Sequence, residues 1–105
     1  PQFKKDNPLY SANPLKLKGV VSLAGITDLR RTGTACDKEV IQFTGGEAKD
    51  KAAIYDQASP ITLIPIGVKQ KIIQGESDTI ITPAMATDYI ETAKRKNDAD
   101  VELVS

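Results

Sequence analysis

Three short apolar segments, separated by amphipathic stretches, dominate the pattern of hydrophobic and polar positions along the chain. The first, Gly19 to Gly25, reads GVVSLAG without alternation of polar and apolar residues, which is typical of a strand that is buried on both faces. The second, Lys69 to Gln74, has Ile72 and Ile73 at its centre, and the third starts at Val101 and reaches Val104. We therefore predict three β-strands at these positions.

The stretch between the first two strands predicts two helices. CDKEVIQFTGG (36–46) makes a short helix that is stopped by its glycine pair, and EAKDKAAIYDQAS (47–59) makes a second. The second helix ends before Pro60, because a residue that precedes proline is pushed out of the α region. PITLIPIGV (60–68) is apolar but interrupted by proline and glycine, and we expect a packed connection there. The apolar residues near one stripe of the first helix are Val40, Ile41 and Phe43.

A third helix is expected between the second and third strands. It begins at Pro83, a residue type preferred at the first helical position, with Thr82 as N-cap. Cations at 94–96 suit the dipole of its last turn. The resulting order of strand, helices, strand, helix and strand predicts an α/β fold with a parallel sheet of about three strands and flanking helices. Residues 1–17 form an extended lead-in, and residues 18–105 form the domain.

Composition excludes several function classes. The 105 residues fit one small domain, and 14 basic residues balance 14 acidic ones. With no long basic block and only three Tyr and two Phe, we expect no nucleic-acid partner. No apolar run approaches the roughly 20 residues that cross a bilayer, so we expect no membrane span. The polar, proline-bounded N-terminus does not have the pattern of a signal peptide. This feature and the single cysteine favour a cytoplasmic location. The missing initiator Met suggests a processed chain or a fragment.

The chain lacks histidine and contains one cysteine, Cys36. Neither a Ser-His-Asp nor a Cys-His arrangement can therefore be assembled from these residues alone, and Cys36 has no imidazole to activate it. The usual zinc and other transition-metal sites need imidazole or thiolate clusters, so we expect no metal and no cofactor. An internal disulfide is excluded because it needs a second cysteine.

Ligands of parallel sheets meet the loops at the carboxyl ends of the strands, and two loops qualify here, ITDLRR (26–31) and GESDTIIT (75–82). In the first loop Ile26, Thr27 and Asp28 are candidates for lining a substrate pocket. Asp28 is equally compatible with a turn in which the carboxylate bonds its own backbone.

The second loop offers a nucleophile or an acid. A nucleophile turn of the G-x-S-x-G type needs small residues around Ser77, but Thr79 takes the last position and the helix starts only at Pro83. Ser77 is therefore interpreted as a turn hydroxyl. Asp78 is the candidate catalytic acid, and the alternative is an Asp that only caps its loop. Glu76 is interpreted as a solvated charge, and the alternative is that Glu76 is the acid.

At these residues the sequence resembles the α/β-hydrolase family, in its esterase, lipase and peptidase-like branches. KGVVSLAGITDL (18–29) is similar to the sixth strand and its loop, and ASPITLI (58–64) is similar to the approach to the seventh strand. KQKIIQGESDTIITPAMATDYIETAKRKNDADVELVS (69–105) resembles the seventh strand, the acid loop, the next helix and the start of the eighth strand.

The acid loop of that family commonly reads G-x-x-D-x-x-V-P. Here Gly75 and Asp78 match, one extra residue precedes Pro83, and Gln74 stands where the family often has His. The resemblance thus implies that Asp78 is the acid of a catalytic triad.

The same resemblance implies a serine hydrolase acting on carboxyl esters or amides, of which this chain is one segment. The nucleophile elbow and the oxyanion hole belong before Lys18, and the triad His belongs after Ser105. We therefore expect the 105 residues alone to be inactive, and either to bind the remainder of the hydrolase or to self-associate through an exposed sheet edge. The alternative function is a non-catalytic α/β binding or scaffold module with a similar sheet.

Overall fold

The three predicted strands form one parallel sheet. The computed structural model describes residues 3–98 and 100–105, so the predictions that involve Pro1, Gln2 and Ala99 lie outside the described residues. The strand order is β1-β2-β3, and both pairings are parallel. The predicted α/β class and the three-stranded parallel sheet are confirmed. The elements in chain order are β1 (Gly19–Leu23), α1 (Asp37–Thr44), α2 (Ala52–Ala58), a 3-10 helix (Pro60–Leu63), β2 (Lys69–Ile73), α3 (Pro83–Arg95) and β3 (Val101–Val104).

The first two helices end where the sequence predicted and differ in extent and in burial. α1 stops at Gly45, whose φ of +85° is easily adopted only by glycine and whose N–H donates to the Ile41 carbonyl oxygen. α2 starts several residues later than expected, because the N–H groups of Asp50 and Lys51 bond the Glu47 carbonyl oxygen in a separate turn. The predicted apolar stripe of α1 is not buried, since Ile41 and Phe43 are both exposed.

Helix α3 begins and ends at residues with distinct backbone conformations. Thr82 occupies the N-cap position as predicted, but its side chain makes no capping hydrogen bond. At the other end Asn97 takes a φ of +58°, and its N–H donates to the Lys94 carbonyl oxygen at 3.2 Å. The N–H of Asp98 donates to the Ala93 carbonyl oxygen at 2.9 Å. These two bonds form a Schellman motif, which places Asp98 back against the protein.

The core lies between α3 and one face of the sheet. Buried positions alternate along β2, with Gln70 and Ile72 facing α3 and their neighbours exposed. Burying a side chain such as that of Ile72 stabilises the fold by about 1.5–3 kcal/mol. Among the described residues, no helix is both long enough and apolar enough to cross a membrane. The core cluster consists of Ile64, Ile72, Ala86, Tyr89, Ile90 and Ala93.

A polar chain crosses this core and ties three segments together. The Tyr89 hydroxyl donates to Gln70 Oε1 at 2.6 Å, and Gln70 Nε2 donates to Asp98 Oδ2 at 2.9 Å. Asp98 also accepts hydrogen bonds from the backbone N–H groups of Ile66 and Gly67. The network links α3, β2 and the turn before β2, and no buried side-chain polar atom of the described residues lacks a hydrogen-bond partner.

The opposite face of the sheet is bare in the described residues. Val21 is 62 % exposed and Leu23 is 72 % exposed, so the prediction that β1 is buried on both faces is wrong for this structure. The strand is apolar on both sides, but only the face against α3 has an element to cover it. The parallel register aligns Leu23 with Ile73 of β2 and Ile73 with Val104 of β3, which forms one apolar row across the sheet. We call these three residues the apolar row.

Candidate acid site at the carboxyl edge of the sheet

The loop after β2 folds around the carboxylate of Asp78. Asp78 Oδ1 accepts hydrogen bonds from the backbone N–H of Ile80 at 2.9 Å and from that of Ile81 at 3.0 Å. Its own N–H donates to the Gly75 carbonyl oxygen at 3.3 Å, which closes the turn. Backbone donors of the same short loop therefore hold the carboxylate in one position just beyond the end of a core strand.

These hydrogen bonds also set the charge of the group. The backbone N–H groups of Ile81 and Ile80 lower the pKa of Asp78 below its ordinary value, partial burial works against them, and the Gln74 amide lowers it further. Asp78 is therefore a carboxylate at neutral pH. Its second oxygen, Oδ2, has only a 3.4 Å contact with Gln74 Nε2 among the described residues, and it retains capacity to accept another hydrogen bond.

The neighbouring polar residues of this loop have no comparable support. Glu76 and Ser77 are exposed, and neither side chain forms a hydrogen bond or an ion pair with the described part of the chain. Ser77 also has no imidazole within reach, since the sequence contains no His. Of the polar side chains at 76–78, only that of Asp78 is fixed in place.

The loop after β1 leaves the sheet at the same edge as the Asp78 loop, because the two loops follow strands that pair in parallel. Thr27 is buried and its hydroxyl donates to the Met85 carbonyl oxygen at 3.2 Å, which fixes the loop to the start of α3. Ile26 and Thr27 line a cavity of about 370 Å³ that reaches Gln70 of β2. Two of the three predicted pocket residues therefore line a cavity, and their role toward a substrate stays a prediction.

Asp28, the third predicted pocket residue, is held by its own turn. Its Oδ1 accepts a hydrogen bond from the backbone N–H of Arg30 at 3.0 Å, and its carbonyl oxygen accepts one from Arg31. Asp28 does not line the cavity of Ile26 and Thr27. The structure thus gives Asp28 the turn geometry that was its alternative interpretation.

A second cavity, of about 370 Å³, lies between α1, α2 and the Arg30-Arg31 segment and was not anticipated from the sequence. The Arg30 guanidinium bonds the Asp56 carboxylate at 2.6 Å and lies 5.6 Å from the centre of the Tyr55 ring. Arg31 pairs with Asp88 of α3. Both arginines are therefore engaged with carboxylates and do not form a free anion site.

Other site classes find little support in the described residues. No group of three or more His, Cys, Asp or Glu side chains there could hold a metal ion. Cys36 is a free, half-buried thiol at the start of α1. Comparison with known proteins gives no relationship, since no family model, no curated protein and no solved structure matches this chain.

Proposed function

We propose that this chain is a segment of a serine hydrolase of the α/β-hydrolase class, acting on carboxyl esters or amides, with Asp78 as the acid of the triad. The observation that carries the proposal is the state of Asp78: an ionised carboxylate beyond the end of a parallel strand, with Oδ1 held by two backbone N–H groups and Oδ2 nearly free. The resemblance of the Gly75 to Pro83 loop to the acid loop of that family supports the same role.

The chemistry of a triad acid requires these properties. The acid accepts a hydrogen bond from one nitrogen of the imidazole, fixes its tautomer and stabilises the imidazolium that forms, and it remains ionised throughout. An acid held by rigid backbone donors keeps its geometry, and a lowered pKa keeps its charge. The nucleophilic Ser and the His come from residues outside these 105 in this proposal, because the sequence has no His and Ser77 has no activating partner.

The exposed face of the sheet is a second argument that this chain is part of a larger protein. All-parallel sheets occur almost only with both faces covered, and here the apolar row of Leu23, Ile73 and Val104 is exposed. We propose that the remainder of the hydrolase covers this face, and that the separated 105 residues self-associate through it and through the free edge of β1. The substrate is a small ester or amide that enters at the carboxyl edge.

A non-catalytic α/β module is the second candidate. The specific observation in its favour is that Asp78 Oδ1 bonds the N–H groups two and three residues ahead, which is also what a loop-capping Asp does. In such a module Oδ2 has no catalytic partner, and the charge of Asp78 serves only to hold its loop.

Covalent labelling of the complete protein separates the two candidates. The protein is incubated with a fluorophosphonate, the labelled residue is identified by mass spectrometry, and turnover of p-nitrophenyl acetate is followed in parallel. The hydrolase proposal expects one labelled Ser outside residues 1–105 and loss of turnover in proportion to labelling. A protein that neither turns over short- and medium-chain nitrophenyl esters nor takes up the label contradicts the proposal, as does labelling at Ser77.

A further inference from the structure

Gln74 lies at the junction between the rigid sheet and the Asp78 loop. It is the first residue after β2, and its backbone N–H still donates to the Val104 carbonyl oxygen of β3 at 2.9 Å. Its side chain is only 4 % exposed although it is an amide. A buried amide needs hydrogen-bond partners, and those of Gln74 all belong to the loop that follows it.

The amide nitrogen of Gln74 spans that loop from end to end. Nε2 donates to the Ile81 carbonyl oxygen at 2.7 Å and lies 3.4 Å from the Gly75 carbonyl oxygen. It also lies 3.4 Å from Asp78 Oδ2, the carboxylate oxygen that the backbone N–H groups leave free. An amide NH₂ group has two hydrogens, so one is committed to Ile81 and the other faces both Gly75 and Asp78.

The chemistry of this contact favours an orienting role. An amide stays neutral at every pH at which a protein folds, so its donor toward Asp78 is permanent. Asp78 Oδ1 is restrained by the loop, whereas Oδ2 is restrained only by the side chain of Gln74, which directly follows β2 and whose backbone still bonds β3. A group built on a strand is placed more accurately than one built on a loop. The sheet can therefore fix the rotation of the carboxylate through Gln74.

We propose that Gln74 is the positioning residue of the catalytic acid, which orients Asp78 Oδ2 toward the imidazole of the triad. This proposal rests on the proposed function, in which Asp78 is that acid. Gln74 acts through Asp78 and does not itself touch the substrate. A misplacement of about 1 Å in a catalytic group can cost on the order of 10²-fold in rate, which sets the scale of the effect.

The test uses the complete protein with a chromogenic ester and four variants. Gln74→Leu removes the donor at similar size, Gln74→Glu replaces it with a carboxylate beside Asp78, and Gln74→His restores a ring N–H donor. Glu76→Gln is the matched control, since Glu76 is exposed on the same loop and lies outside the site. Steady-state kcat and KM, the pH dependence of kcat/KM and the melting temperature are measured for each variant.

A positioning role predicts that Gln74→Leu lowers kcat by roughly 10²-fold with KM within twofold, and that Gln74→His recovers most of the loss. Gln74→Glu is expected to move the acid limb of kcat/KM to higher pH, because a second carboxylate disfavours ionisation of Asp78. Unchanged kcat and pH profiles in the Gln74 variants overturn the proposal. The proposal is also overturned if the Gln74 variants lose melting temperature and kcat together, the pH profile does not move and Gln74→His restores nothing. Gln74 would then have a structural role only.

Asp78→Asn, measured in the same assay, separates this inference from the proposed function. If Asp78→Asn abolishes turnover while the Gln74 variants remain active, only the role of Gln74 is wrong. If Asp78→Asn retains full turnover, the acid itself is wrongly assigned, and the role of Gln74 falls with it.

Discussion

The Tyr89 hydroxyl lies 2.6 Å from Gln70 Oε1, so a hydrogen bond inside the core joins helix α3 to the central strand β2. Tyr89→Phe keeps the ring but leaves Gln70 Oε1 without its donor. We expect the variant to lose about 1–3 kcal/mol in the free energy of unfolding, since the oxygen stays buried and unpaired. Urea unfolding measures the loss. Tyr10→Phe is the control, because Tyr10 is exposed and should change stability by less than about 0.5 kcal/mol.

Alkaline pH tests the same residue by a different route. Burial raises the pKa of Tyr89, and the nearby charge of Asp98 raises it further. Because the folded-state pKa lies above the unfolded value of 10.0, the stability from the neutral hydroxyl is complete below pH 10 and is lost as pH rises through the folded pKa. Unfolding followed from pH 8 upward should show a steeper alkaline loss for the wild type than for Tyr89→Phe. Parallel losses in the two proteins would show that Tyr89 does not titrate as described.

The side chain of Met85, in the first turn of α3, is almost completely buried. Met85 is 1 % exposed, and truncating a buried Met to Ala leaves a cavity that typically costs about 2–5 kcal/mol. We expect Met85→Ala to lower the free energy of unfolding by an amount in this range. Leu15→Ala, in the exposed lead-in, serves as the control and should stay within about 0.5 kcal/mol of the wild type. If Met85→Ala and Leu15→Ala changed the free energy of unfolding equally, Met85 would not be part of the core.

The apolar row predicts how the 105-residue chain behaves on its own. We expect the isolated chain to self-associate, because Leu23, Ile73 and Val104 expose a continuous apolar stripe. Size-exclusion chromatography with light scattering measures the mass, and Leu23→Lys should shift it toward the monomer. Leu15→Lys places the same charge at an exposed position outside the sheet and should leave the mass unchanged. A wild-type chain that is a stable, cooperatively unfolding monomer would favour the independent α/β module.

Local signals in the sequence were sufficient to place most elements. The strand at Val101–Val104 and the helix start at Pro83 were located to the residue. The end of α2 at Ala58, with Ser59 as its extended C-cap, was located as well, because Pro60 disfavours the helical conformation of the residue before it. The start of α2 was predicted too early, since a turn on the Glu47 carbonyl oxygen competes with the first helical hydrogen bonds.

Burial and the surroundings of the site were harder to predict because they depend on contacts distant in sequence. The apolar character of β1 shows that both faces can be buried, but not which elements cover them, and one face is bare here. The candidacy of Asp78 followed from its place after a strand. Its two backbone donors and the buried amide of Gln74 emerged only from the folded loop. The cavity at Arg30 needs α1 and α2 packed together, which no local pattern encodes.

The role of Asp78 is tested most directly by kcat for ester hydrolysis in the complete protein carrying Asp78→Asn, with Glu76→Gln in parallel. Asparagine preserves the size of the side chain but cannot stabilise an imidazolium, and the equivalent change in a well-studied triad lowers kcat by about 10⁴-fold. We predict a loss of that order for Asp78→Asn with an unchanged circular dichroism spectrum, and kcat within about twofold of the wild type for Glu76→Gln. Equal losses in the two variants, a larger loss for Glu76→Gln, or full activity of Asp78→Asn would contradict the assignment of Asp78 as the catalytic acid.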